Sequence, residues 1–129
     1  MTDRKLIGVA TEAMRNSYSP YSRLKVGAAV ECADGSVYSG CNIENPAFGA
    51  TICAEIAAVS TAVSAGKRSF KRIALISEGN TYYFPCGSCR QVLSELSPEV
   101  EVLCTRSDGR YVSYTLETLL PMPFKKEQL

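Results

Sequence analysis

The 129-residue chain contains no histidine and no tryptophan. The first absence excludes Ser-His-Asp and Cys-His nucleophile sites, and with them any His-rich zinc site. Charge of neither sign is in excess: 14 Lys+Arg against 13 Asp+Glu leave a net +1, so no broad field draws in a nucleic acid polymer. No apolar run approaches the roughly 20 residues that span a bilayer. The opening Met1-Thr2-Asp3-Arg4-Lys5 has no apolar signal core behind its charges. These absences predict a soluble, cytoplasmic protein with no membrane or nucleic acid polymer as partner. An acid–base enzyme made of these residues must rely on Glu, Asp, Lys, Cys, Tyr or a metal-bound water.

What remains is an ordinary globular composition, 46% hydrophobic and 21% charged, of a length that suits one domain over residues 1–129. Six cysteines in a reducing compartment read as thiols or metal ligands rather than as a disulfide framework. Apolar spacing predicts a helix from Thr2 to about Tyr18, broken by Pro20. A buried strand over Lys25 to Cys32 turns at Asp34-Gly35 into a second strand, Val37 to Cys41. After a loop over 42–52, a largely apolar helix runs from Cys53 to Ala65, with Ile56, Val59 and Val63 on one stripe. Ile73 to Ile76 is a short strand, 78–85 a loop, and Gly87 to Leu96 a helix stopped at Ser97-Pro98. Strands at Val100 to Thr105 and Tyr111 to Tyr114 flank the turn Asp108-Gly109, and a short helix follows over Leu116 to Leu120. The order is α-β-β-α-β-α-β-β-α, a layered α/β domain around a mixed five-stranded sheet.

Two segments carry chemistry, and both open a helix after a loop: Cys53-Ala54-Glu55 and Pro85-Cys86-Gly-Ser-Cys89-Arg90-Gln91. A Cys-x-x-Cys pair at a helix start can hold one Zn²⁺, and the positive end of the helix favours its thiolates. Cys53 supplies a third sulfur if the two helix starts converge. Three protein ligands leave a fourth position for water, the mark of a catalytic zinc, and a nearby carboxylate can shuttle that water's proton. Glu55 fits the shuttle, provided the site lies off the N-terminal end of its helix. Taken alone, the Cys-x-x-Cys pair also suits a redox couple or half of a structural zinc ribbon. Cys32, Cys41 and Cys104 fall in strands, where free cysteine usually behaves as a small hydrophobe.

Together the two segments resemble the zinc signature of the nucleoside cytidine deaminases. The likeness extends to Tyr18-Ser-Pro-Tyr-Ser-Arg-Leu-Lys-Val-Gly-Ala-Ala29, to Gly40-Cys-Asn-Ile-Glu-Asn45 and to Leu119-Leu-Pro-Met-Pro-Phe124. It implies a three-layer fold with helices flanking the mixed five-stranded sheet. It also implies zinc-dependent hydrolysis of cytidine or deoxycytidine to the uridine and ammonia, as in pyrimidine salvage. By the same resemblance, Cys53, Cys86 and Cys89 hold one Zn²⁺ per chain, and Glu55 moves protons to ring nitrogen 3 and to the leaving ammonia. Asn42 and Glu44 grip the ribose, while Leu24, Ile43 and the Ala54 backbone line the pocket. Phe124 closes a neighbour's pocket in a homotetramer with shared active sites.

Three positions depart from the family pattern. Ile56 stands where an Arg often offsets the charge of three thiolates, Leu24 replaces a usual Phe, and Phe48 a frequent Tyr. These changes keep open a modified cytosine nucleoside or a blasticidin-like aminopyrimidine as substrate. A non-catalytic structural zinc module is the reading from another class. Cys-x-Glu in place of His-x-Glu, together with the absence of a basic groove, points to a free nucleoside.

Overall fold

The computed structural model describes residues 1–129. Helix α1 (Asp3–Met14) starts where Thr2 caps the Lys5 N–H through its hydroxyl, with Asp3 in the positively charged first turn. It ends at Met14 and not near Tyr18, because the chain there is pulled into other backbone bonds. Tyr18 donates to the Asn42 carbonyl and accepts from the Glu44 N–H.

Strands β1 (Val26–Cys32), β2 (Val37–Cys41), β3 (Phe70–Ser77), β4 (Glu101–Thr105) and β5 (Tyr111–Thr115) form one sheet in the order β2-β1-β3-β4-β5. Only β3 and β4 run parallel, joined by the crossover through α3 (Gly87–Leu96); the other neighbours are antiparallel. Gly35 and Gly109 sit at φ of 89° and 90° in the two hairpin turns, a conformation that glycine adopts without a Cβ penalty. Strand β3 begins at Phe70, three residues before its apolar run. Arg72 interrupts the hydrophobic pattern but pairs across the ladder with Glu31 and forms an ion pair with it.

Helices cover both faces. On one side Leu6, Ile7 and Ala10 of α1 pack against Ala29, Ala74, Ile76 and Leu103. On the other, α2 (Ala54–Ser64) and α3 pack with α4 (Leu116–Leu119) against Val30, Ile73, Leu75 and Val102. The buried face of α2 is Ala54, Glu55, Ala58, Val59 and Ala62, whereas Ile56 and Val63 of the expected stripe are only half-buried. Small residues face inward because the helix lies almost on the β2 backbone. A Cβ on Gly40 would stand 2.5 Å from the Ala58 nitrogen and 2.6 Å from the Ala57 Cβ. No helix is long and apolar enough to cross a membrane.

Candidate active site

The crossover brings the starts of α2 and α3 together. Cys53 is the N-cap of α2, Cys86 the N-cap of α3, and Cys89 lies in the first turn of α3. Their three sulfurs lie within 4.8 Å of one another, with Cys53 to Cys86 at 3.8 Å and Cys86 to Cys89 at 3.2 Å. Tetrahedral zinc with bonds of about 2.3 Å separates its sulfurs by about 3.8 Å, so the trio has the right span. The cluster contains three residues and no fourth, so Cys32, Cys41 and Cys104 stand apart from it. All six cysteines are free thiols. Within the trio, a hydrogen bond from Cys89 draws Cys53 down to about 6 while pushing Cys89 up, and the positive ends of two helices favour negative charge at the same place.

Glu55 is fully buried, and neither carboxylate oxygen makes a hydrogen bond. Burial pushes its carboxyl up to about 7, with the charge of Cys53 adding to the rise. A buried carboxyl without a partner is costly and rare, so it marks a place where something else is meant to bind. The Tyr83 hydroxyl, three residues before Cys86, is also raised, first by burial and then by the nearby charge of Glu55 and the cysteines.

Beside the sulfurs runs the segment 42–44. Ile43 exchanges both backbone hydrogen bonds with Ile52, at 2.9 Å each, which fixes the segment one residue from Cys53. Asn42 and Glu44 point to the same side of this extended chain. The Asn42 carbonyl oxygen accepts from the Val26 N–H and the Ser17 hydroxyl, and its amide nitrogen donates to the Leu24 carbonyl at 2.8 Å. One of its two N–H groups is left over. Glu44 accepts from the Tyr21 and Ser22 N–H groups on one oxygen and from the Ser22 hydroxyl on the other. These bonds hold its carboxyl below the usual range, the Ser22 hydroxyl contributing most. A cavity of about 300 Å³ opens beside Glu44, lined by Tyr21, Ser22, Asn45, Phe48 and Thr51. Leu24 and Ile43 present partly exposed side chains. Ala54 is buried at the first position of α2, where N–H groups have no partner within the helix.

Phe124 is not drawn into the sulfur cluster of its own chain. Its backbone is clamped by the Gln91 amide, which donates to its carbonyl at 2.7 Å and accepts from its N–H at 3.1 Å, while 56% of the residue stays exposed. Arg90, the cation nearest the cysteines in sequence, donates to the Pro85 and Leu119 carbonyls. The structural tasks of Ser17, Ser22, Arg90 and Gln91 were not legible from spacing, since each acts on a segment distant in sequence. The Pro20 turn around Ser22 was the only local hint.

Fold and site together define a metal-dependent enzyme domain: an α/β/α sandwich with a three-cysteine centre able to hold a metal ion and a buried carboxyl group close by in sequence. The family model for the cytidine and deoxycytidylate deaminase zinc-binding region matches residues 1–105. A cytidine deaminase from Sporosarcina psychrophila is 43% identical over 130 residues, covering 100% of this chain and 96% of that protein. A crystal structure of cytidine deaminase from Burkholderia pseudomallei superposes with a TM-score of 0.92 at 42% identity, covering 96% of this chain and 100% of that one. Blasticidin-S deaminase from Bacillus cereus is 31% identical, covering 96% of this chain and 93% of that protein. The chain belongs to the zinc-binding cytidine and deoxycytidylate deaminase family.

Proposed function

We propose that this protein hydrolyses the exocyclic amino group of cytidine and deoxycytidine, releasing ammonia and the corresponding uridine. The observation that carries this reading is Glu55, buried without a partner at the start of the helix that Cys53 caps. Cys53, Cys86 and Cys89 fit a zinc ion in donor type, span and helix polarity. Zinc held there supplies Lewis acidity, which brings the pKa of a water down to roughly 7.

Glu55 then performs the proton traffic. Its carboxylate takes one proton from the attacking water and delivers it to ring nitrogen 3 as the water oxygen bonds to C4. The second proton of that water passes to the amino group, the C4–N bond breaks, ammonia leaves and the carbonyl of the product forms. Burial of Glu55 serves this task, because a carboxyl lifted toward neutrality both accepts and returns a proton readily. The free N–H groups at the start of α2, beginning at Ala54, face the base. Asn42 keeps one donor and Glu44 one acceptor site, the capacity needed to bind the hydroxyls of a sugar. That pair supports a nucleoside over a blasticidin-like compound, and the three-residue cluster supports a catalytic zinc over a closed structural one. The exposed side chains of Leu24 and Ile43, on either side of Asn42 and its partners, complete the apolar part of the proposed substrate pocket.

The 129 residues serve as one catalytic domain of a cytoplasmic enzyme of pyrimidine salvage, in keeping with six free thiols. We assign it a homotetrameric assembly in which Phe124 closes a neighbour's pocket; its fixed backbone and exposed ring support that role. Ammonia release from cytidine, deoxycytidine and blasticidin S by zinc-loaded protein tests the assignment. Turnover of both nucleosides well above the antibiotic is expected, and the reverse order would overturn it.

A further inference from the structure

We propose that Ser22 is a positioning residue for sugar recognition, setting the Glu44 carboxylate and the Leu24 backbone as one unit; this rests on the reading that Glu44 grips the sugar. Ser22 gives Glu44 both its N–H, at 3.0 Å, and its hydroxyl, on the two different carboxylate oxygens. With the Tyr21 N–H at 2.9 Å, three donors hold a side chain that would otherwise rotate freely at the mouth of a cavity. The same Ser22 oxygen accepts from the Leu24 N–H at 3.1 Å. Leu24 is thus held on both sides, by Ser22 at its N–H and by Asn42 at its carbonyl.

The turn that presents Ser22 is itself constrained. Arg23 is the only non-glycine residue with positive φ, at 59°, and its N–H closes back on the Ser19 carbonyl at 3.0 Å. A side-chain-bearing residue occupies that region only when its surroundings impose it, and such residues gather at functional sites. The three bonds to Glu44 are the tie that holds this turn against the 42–44 segment. They also leave one acceptor site on the Glu44 oxygen that Ser22 bonds, so the Ser22 hydroxyl sets the direction from which a sugar hydroxyl is accepted.

The test compares cytidine with dideoxycytidine, which keeps the base and lacks both secondary sugar hydroxyls, in wild type, Ser22→Ala, Ser22→Thr and Glu44→Ala. Hydrogen bonds to charged groups support an expected rise of about tenfold in KM for cytidine in Ser22→Ala, with kcat close to wild type. KM for dideoxycytidine should rise far less than KM for cytidine, since only the Leu24 contact is disturbed for it, and Ser22→Thr should restore the preference for cytidine. If Glu44→Ala lowers that preference and Ser22→Ala does not, Ser22 has no positioning role and the proposal is overturned on its own. If Glu44→Ala also leaves the preference intact, the sugar-binding reading falls and the proposal with it. Equal zinc content and melting temperature across the variants show that each outcome reports on recognition and not on folding.

Discussion

Gly40→Ala places one methyl group where the contact between β2 and α2 leaves no room for it. The new Cβ would lie 2.5 Å from the Ala58 nitrogen and 2.6 Å from the Ala57 Cβ, whereas carbon atoms in contact sit about 3.5–4.0 Å apart. Both obstructing atoms belong to the body of α2, so no flexible side-chain end can swing aside. The helix must retreat by about 1 Å, and overpacking of this kind costs about 1–3 kcal/mol. For a chain of this size that corresponds to a Tm lower by about 3–15 °C. Because α2 carries Cys53 at its cap and Glu55 in its first turn, the same displacement moves one sulfur and the proton carrier relative to α3. A misplacement of about 1 Å at reacting groups lowers kcat by up to about a hundredfold. Gly8→Ala is the matched control: nothing lies within 4 Å of its Cβ position inside α1. There alanine should raise stability by about 0.5–1 kcal/mol through better helix propensity. Calorimetry and steady-state deamination assays on both variants decide the point. A Gly40→Ala protein with wild-type Tm and kcat would refute the claim that close α2–β2 approach sets the site.

Arg72→Met should cost about 3–5 kcal/mol in urea unfolding, because it leaves Glu31, buried in β1, without the guanidinium that also reaches Asp3. Asp34 is held below its usual range by the hydrogen bond from Lys67, so its contribution is full above the ordinary aspartate pKa and is lost as pH falls toward the lower folded value. Asp34→Asn should therefore flatten the acid side of a Tm-against-pH curve while changing nothing in its slope above pH ~5. Gln91→Ala removes both bonds that clamp the Phe124 backbone. It should speed limited proteolysis within residues 120–129 and raise KM with little change in zinc content.

Much of the fold is written in local signals. The Asp-Gly pairs announce both hairpins, and Gly66 and Pro98 mark helix ends close to where they fall, whereas Pro20 lies six residues beyond the end of α1 at Met14. The cysteine spacing locates the metal centre because both ligand segments open helices, and only the crossover between β3 and β4 was needed to join them. What eluded pattern reading depended on partners far along the chain. Of the expected α2 stripe only Val59 is buried; Ala54, Ala58 and Ala62 face inward in place of the bulkier Ile56 and Val63, since the close approach to Gly40 on another element leaves little room. Strand β3 starts early because Glu31 neutralises an arginine that breaks the apolar run. Asn42 spends most of its amide on Val26, Ser17 and Leu24, so its capacity for a ligand is visible only after those bonds are counted.

Glu55→Gln tests the central claim most directly, measured as zinc content together with the rate of ammonia release from cytidine. The substitution preserves the size of a fully buried side chain and removes its ability to carry a proton. Full zinc occupancy with turnover reduced by orders of magnitude is the predicted result. Wild-type turnover from zinc-replete Glu55→Gln would contradict the assignment of Glu55 as the proton carrier.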